Sequence, residues 1–211
     1  MSLHAFSKAD LVLVGAGEGR RMGTPKAFLQ VGGVPLLRLT AQRLSSFPWA
    51  NAIAVVPLGK LREARLVLSG LPFEVVEGGA TRARSVQRGV ARCGAQWVVI
   101  HDCARPSFSP AALPLLLEDL ENGAVASVLT RPVPHSLARI TNGEMTDIVD
   151  REGIHEVHTP QAFLRSRLLS LLGRDVPEET RLFLDAGEVI SVHHDPSPNP
   201  KLTWPGDEDR L

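Results

Sequence analysis

Apolar residues fall along this chain in short solid blocks, and between the blocks they recur every three or four positions. The first block, Asp10 to Ala16, is brief, β-branched and closed by glycine, which predicts a buried strand. From Pro35 to Ser46 the spacing changes: Leu37, Ala41 and Leu44 keep a helical interval behind a proline suited to a first turn. The alternation then repeats. Ala52 to Pro57 reads as a strand, and Lys60 to Leu68 as a helix ended near Gly70. Phe73 to Glu77 is a third strand that runs into Gly78-Gly79, followed by a helix from Thr81 to about Cys93 with Val86 and Val90 on one face. Gln96 to His101 is a fourth strand, Pro110 to Glu121 a helix, and Ala124 to Leu129 a fifth strand.

Strands that are apolar throughout, alternating with helices, predict an α/β fold with a mostly parallel sheet covered on both faces. In such sheets the working loops lie beyond the carboxyl ends of the strands. Three candidate loops occupy such ends, after Val14, after Glu77 and after Ile100.

Beyond Pro132 the pattern differs. Leu137–Ile140 and Met145–Val149 are short strand-like pieces around Thr141-Asn142-Gly143-Glu144, and Asn-Gly is a strong hairpin signal. An isolated hairpin is marginal in water, so a β-arm at about residues 132–156 is expected to lie against something else, a second subunit being one candidate. Pro160 to Leu172 and Glu178 to Ala186 read as helices and Val189 to Val192 as a last strand; the proline-rich tail Asp195 to Pro205 reads as a loop. Met1 to Lys8 read as a short flexible lead-in.

The 211 residues, 44% of them hydrophobic, suffice for one domain spanning 1–211 with a full core. Lys+Arg and Asp+Glu both number 23, so no uniformly basic nucleic-acid surface is expected. No apolar run reaches membrane-spanning length and no signal peptide is evident. Two cysteines without metal-type spacing fit a reducing, cytoplasmic setting.

The chemistry-bearing residues sit in the three loops. Gly15-Ala16-Gly17-Glu18-Gly19 matches neither the dinucleotide fingerprint nor a P-loop, and on glycines alone it is also a plain strand-to-loop turn. Arg20, Arg21 and Lys26 close behind it supply the fixed positive charge that phosphoryl or nucleotidyl transfer needs. Gly78-Gly79-Ala80-Thr81 with Ser85 reads either as a backbone that a ligand approaches or as a helix start capped by Thr81 with Arg84 and Arg88 solvated. Asp102, ending an apolar strand, requires a partner or a ligand, and Arg105 is the natural partner. Cys103 reads as a small buried filler. His193-His194 alternate across a strand, and neither they nor the pair His155 and His158 make a convincing metal site.

Taken in order, GAGEGRRMGTPKAFLQVGG, GGATRARSV, HDCARP, VDREGIHEVHTPQAF and NPKLTWP resemble the motifs of the 2-C-methyl-D-erythritol 4-phosphate cytidylyltransferase family, over nearly the whole chain. The resemblance implies a Rossmann-like fold with a protruding β-arm that embraces a second copy, and a reaction of CTP with the polyol phosphate. Mg2+ would be held mainly through the CTP phosphates, with no dedicated protein metal site. It implies Arg21 and Lys26 as transition-state cations, and Arg151 and Lys201 as the pair that positions the nucleophile. Gly15, Ala16, Gly17, Gly19, Gly79, Ala80 and Ser85 fall where the family holds the nucleotide. Asp102, Arg105, Ser136 and Thr159 fall where it holds the polyol phosphate, some of them reaching the site from the partner's arm. Three departures stand out: a tight loop from Met22 to Pro25, Pro177-Glu178 in place of a hydroxyl residue and Asp, and Ser136 for threonine. A ribitol-5-phosphate cytidylyltransferase, another sugar-phosphate nucleotidyltransferase, or a nucleotide sensor without turnover are the alternatives.

Overall fold

The structure, a computed structural model, describes residues 3–17, 19, 23–195, 197–204 and 206–207. In chain order the elements are β1 (Ala9–Val14), β2 (Gln30–Val31), β3 (Val34–Pro35), α1 (Leu36–Leu44), β4 (Asn51–Val56), α2 (Leu61–Val67), β5 (Glu74–Glu77), α3 (Arg82–Val90) and β6 (Trp97–Asp102). They continue as α4 (Ala112–Glu121), β7 (Ala126–Pro132), β8 (Leu137–Thr141), β9 (Glu144–Val149), β10 (His155–Leu164), α5 (Arg165–Leu171), α6 (Glu179–Asp185) and β11 (Ser191–His194).

Seven strands form one sheet in the order β11-β7-β10-β6-β1-β4-β5. All neighbours are parallel except β10, which runs antiparallel to both β6 and β7. The even burial of β1 follows from its place in the sheet. Leu11 and Leu13 face one apolar layer with α1 and α4, while Val12 and Val14 face the other with α3, α5 and α6. A strand covered on both faces has no polar side to present, hence the unbroken apolar block. Phe163 of β10 and Phe183 of α6 stack at 5.2 Å in the second layer.

Three sequence expectations need correction. Leu3–Lys8 is a 3-10 turn and no mere lead-in: Ala5 and Phe6 are buried, and Phe6 stacks on Phe47 at 4.8 Å. The expected helix from Pro160 is strand up to Leu164, because the residues Gln161–Leu164 pair between β6 and β7; helix begins only at Arg165. The last strand starts at Ser191, two residues late, where it can pair with Ser127 of β7. A small antiparallel ribbon, β2–β3, is an element the sequence reading lacked.

The hairpin is present. Among the described residues, β8 and β9 pair with each other and with no strand of the main sheet. Asn142 and Gly143 take φ of 53° and 85° at its turn, the left-handed pair that a two-residue hairpin loop requires. Ile140, Met145 and Ile148 are 56%, 65% and 60% exposed on it.

Candidate active site

The carboxyl ends of β1, β4, β5 and β6 are stitched together by backbone bonds. Gly15 N–H donates to Val55 O, Gly78 N–H to Val56 O, and Cys103 N–H to Val14 O, at 2.8, 2.8 and 2.9 Å. These bonds bring the three loops to one rim, around a cavity of about 760 Å³. Ten of the residues expected at the site line it: Gly15, Ala16, Gly17, Gly19, Lys26, Gly79, Ala80, Ser85, Asp102 and Lys201. Arg20, Arg21 and Met22 lie outside the described residues.

Small side chains make the approach of the first two loops possible. A methyl group at Gly78 would stand 2.3 Å from the Ala16 Cβ and 2.7 Å from Ser85 Oγ. Ser85 holds the second loop, accepting Gly79 N–H at 3.1 Å and donating to Thr81 O at 2.8 Å. Thr81 caps α3 by accepting Arg84 N–H, so the capping role and the cavity-lining role coexist in one loop. Arg88 is not simply solvated: it donates to Gly78 O and lines the same cavity.

The floor is ionic. Asp102 receives Lys201 Nζ at 2.6 Å on one oxygen and Arg82 Nε at 3.2 Å on the other. Burial would raise its pKa, but Arg82 and Lys201 outweigh it and hold the carboxyl well below its usual range. The Arg105 guanidinium does not bond this carboxylate, contrary to the sequence expectation: its Nη1 donates to Asn199 O at 2.6 Å, and only its backbone N–H reaches Asp102, donating to the main-chain oxygen at 3.0 Å. Arg82 is shared among Asp102, the buried Glu179 at 2.8 Å and the Pro177 carbonyl at 3.2 Å. Burial works against its charge, yet those carboxylates raise its pKa. Lys26, on a 3-10 turn, donates to Leu202 O at 2.8 Å. Thr159 Oγ1 accepts Asp102 N–H at 3.1 Å from the neighbouring β10.

Two expected residues stand apart. Ser136 and Arg151 are exposed at the base of the hairpin, and Arg151 Nη1 donates to Pro134 O at 2.6 Å. Neither lines this chain's cavity. The residues that sequence reasoning missed are Arg82, Glu179 and Asn199. Arg82 stands in the second loop but carries no local signal, because its carboxylates come from positions 20 and 97 residues away. Asn199 has a weak one: asparagine enters the left-handed region more readily than most residues, although the proline after it favours extended backbone.

Cys103 is buried beneath Gly15, and burial first, then Asp102, pushes its thiol up to about 12, so it packs rather than reacts. His101 is fully buried against Phe108, with Nε2 3.0 Å from Arg105 O; burial lowers its pKa to about 4 and keeps the ring neutral. His193 pairs with Asp119 and His158 with Asp195, which accounts for two of the histidines considered above. Among the described residues no group of three His, Cys, Asp or Glu is placed to hold a metal ion, and no helix is long and apolar enough to cross a membrane.

A mostly parallel sheet whose strand ends carry two glycine loops, with Lys201 and Arg82 on one carboxylate and Lys26 on the same rim, has the features of a nucleotide-binding α/β fold. Residues 10–207 match the family described as IspD: 2-C-methyl-D-erythritol 4-phosphate cytidylyltransferase, and the chain belongs to that family. A curated relative of that name from Laribacter hongkongensis is 34% identical over 96% of this chain and 94% of its own length. A bifunctional IspD/IspF enzyme of Granulibacter bethesdensis is 36% identical over 95% of this chain, which spans only 54% of that protein. The crystal structure of 2-C-methyl-D-erythritol 4-phosphate cytidylyltransferase from Thermus thermophilus superposes with a TM-score of 0.80 at 30% identity, covering 96% of this chain and 95% of that one.

Proposed function

We propose that this chain, as a single domain, transfers the cytidylyl group of CTP to 2-C-methyl-D-erythritol 4-phosphate in isoprenoid biosynthesis. A phosphate oxygen of the polyol attacks the α-phosphorus of CTP; the new P–O bond forms as the bond to the departing pyrophosphate breaks. The observation that carries this reading is the meeting of both glycine loops with Lys26, Asp102 and Lys201 around one cavity.

The nucleophile has a second pKa of about 6, so near neutral pH it is already largely a dianion and needs no general base. The obstacle is the approach of two anions, and fixed cations on both sides reduce it. Lys26 and Arg21 serve the triphosphate side. Lys201 serves the polyol-phosphate side, where the incoming phosphate competes with Asp102 for its ammonium. Arg105, Thr159 and Asp102 hold the polyol, and the loop backbones with Ser85 hold the cytidine.

Among the described residues Asp102 is the only carboxylate lining the cavity, and both its oxygens are engaged. A Mg2+ ion there would rest chiefly on the triphosphate, as such ions commonly do, and would add positive charge to its oxygens. Arg151 and Ser136 would reach the cavity of a second copy through the hairpin, whose exposed Ile140, Met145 and Ile148 suit contact with another chain. Two buried unoxidised cysteines accord with the cytoplasm.

The test is pyrophosphate release with Mg2+, each of CTP, UTP, GTP and ATP, and each of methylerythritol 4-phosphate and ribitol 5-phosphate. Release confined to CTP with methylerythritol phosphate is expected. Preference for ribitol phosphate, or nucleotide binding without release, would overturn the reading.

A further inference from the structure

Residues 197–202 follow β11 without regular structure, yet they touch four of the residues assigned to the site. Asn199 is their fixed point. It is fully buried and takes φ of 45°, one of two described non-glycine residues with positive φ. Its Nδ2 donates to Thr159 O and to Asp195 Oδ2, both at 2.8 Å. Its own carbonyl accepts Arg105 Nη1 at 2.6 Å. Two residues on, Lys201 reaches Asp102 at 2.6 Å. Next, Leu202 donates its N–H to Ala104 O and accepts Lys26 Nζ on its carbonyl.

The amide orientation is determined. Nδ2 faces two oxygens, so a flipped amide would set oxygen against oxygen. Asp195, which anchors the other end, is itself held by His158 Nδ1 at 2.8 Å and by the Ser197 N–H at 3.1 Å. Asparagine enters the left-handed region at lower cost than other side-chain-bearing residues. Pro200 then fixes the next φ, so the direction in which the chain delivers Lys201 follows from Asn199. A mere turn needs only a glycine here. The two donated bonds and the accepted one tie that turn to Thr159 and Arg105, which lie on different strands and loops.

We propose that Asn199 is a positioning residue for the polyol-phosphate half of the site: its left-handed backbone and its amide set where Lys201 and Arg105 present their charges. The name of the substrate rests on the cytidylyl-transfer reading; the geometry does not.

Two variants separate backbone from amide. Asn199→Gly keeps the left-handed turn and removes the amide; Asn199→Asp keeps the shape and turns the donor into an acceptor facing two oxygens. The first measurement needs no substrate: the acylation rate of Lys201 by an amine-reactive ester, read by mass spectrometry. Both variants should raise it severalfold, as the ammonium leaves Asp102, with Asn199→Asp the larger. The second is a KM split: KM for the polyol phosphate rising about tenfold while KM for CTP stays within about twofold. Unchanged acylation and unchanged polyol-phosphate KM in a folded Asn199→Gly would overturn the proposal. So would an equal rise in both KM values together with a lower Tm, the mark of a purely structural part. A wild-type protein that releases no pyrophosphate would sink the cytidylyl-transfer reading and leave the acylation result to decide this one.

Discussion

Arg82 Nη1 lies 2.8 Å from Oε2 of Glu179, a carboxylate whose side chain is 1% exposed at the start of α6. The same guanidinium turns its Nε to Asp102 at 3.2 Å. One arginine thus neutralises a buried structural acid and braces the acid at the floor of the cavity. Removing it strands the buried Glu179 and leaves Asp102 with Lys201 alone, and breaking a buried pair costs about 3–5 kcal/mol. Arg82→Ala should lower stability by about that amount in urea unfolding. Glu179→Gln retains a hydrogen-bonding partner and should cost clearly less. Equal stability of Arg82→Ala and wild type would refute the bracing role.

The glycine loops make a steric prediction. Gly78→Ala drives a methyl into Ala16 and Ser85, both lining the cavity. Overpacking of this kind costs about 1–3 kcal/mol, and the loops must part to relieve it. CTP affinity, measured by titration calorimetry, should fall by about tenfold or more. Unaltered CTP affinity would show that the close approach of the loops is incidental.

If the hairpin reaches across to a partner's cavity, two inactive variants should complement each other. Arg151→Ala spoils the partner's site, and Lys201→Met spoils its own. Random reassortment makes half the dimers mixed, each with one intact site, so about a quarter of wild-type turnover should return. No recovery after verified subunit exchange would place Arg151 in its own chain's site or outside the reaction.

Acid should unfold the protein in two stages. Burial keeps His101 neutral, with its pKa lowered to about 4. The unfolded chain takes up that proton near pH 6.5, so this contribution is whole above pH 6.5 and is lost as pH falls toward 4. Its size is about 3 kcal/mol. Burial alone would raise the pKa of Asp195, but hydrogen bonds from His158, Asn199 and Ser197 prevail and hold it at about 2. Its contribution, like that of Asp102, is present above the ordinary carboxyl range and lost as pH falls below it. Urea midpoints from pH 7.5 to 2 should fall gently below about 6.5 and then steeply below about 4. In His101→Gln the upper slope should flatten; an unchanged upper slope would exclude His101 as its source.

The parallel sheet was legible because strands covered on both faces must be apolar throughout, as in Leu11–Val14 and Val98–Ile100. The glycine loops were legible because their chemistry is local. What escaped was decided at a distance. Pro160–Leu164 reads as helix, since no Gly or Pro separates Leu164 from the true helix at Arg165; pairing with β6 and β7 overrides the local pattern. Asp102 was expected to pair with Arg105, three residues along, but its partners are Arg82 and Lys201, the latter 99 residues away. Spacing says that a buried acid needs a cation and says nothing of which one arrives.

The strand order has a further consequence for assembly. β6-β1-β4-β5 form one contiguous block, built from residues before 103, and β11-β7-β10 form another, built from residues after 125. The glycine loops belong to the first block, whereas Thr159 and Lys201 come with or after the second. The blocks meet along a seam of four paired residues, Gln161–Leu164 against Trp97–Ile100. Asp102 sits at the open end of that seam, bonded across it to Thr159 and Lys201. Such long-range pairing is a slow kind of contact to make in folding. On the cytidylyl-transfer reading, catalytic competence therefore waits on closure of the sheet: the first block alone would offer the glycine loops without Thr159 and Lys201.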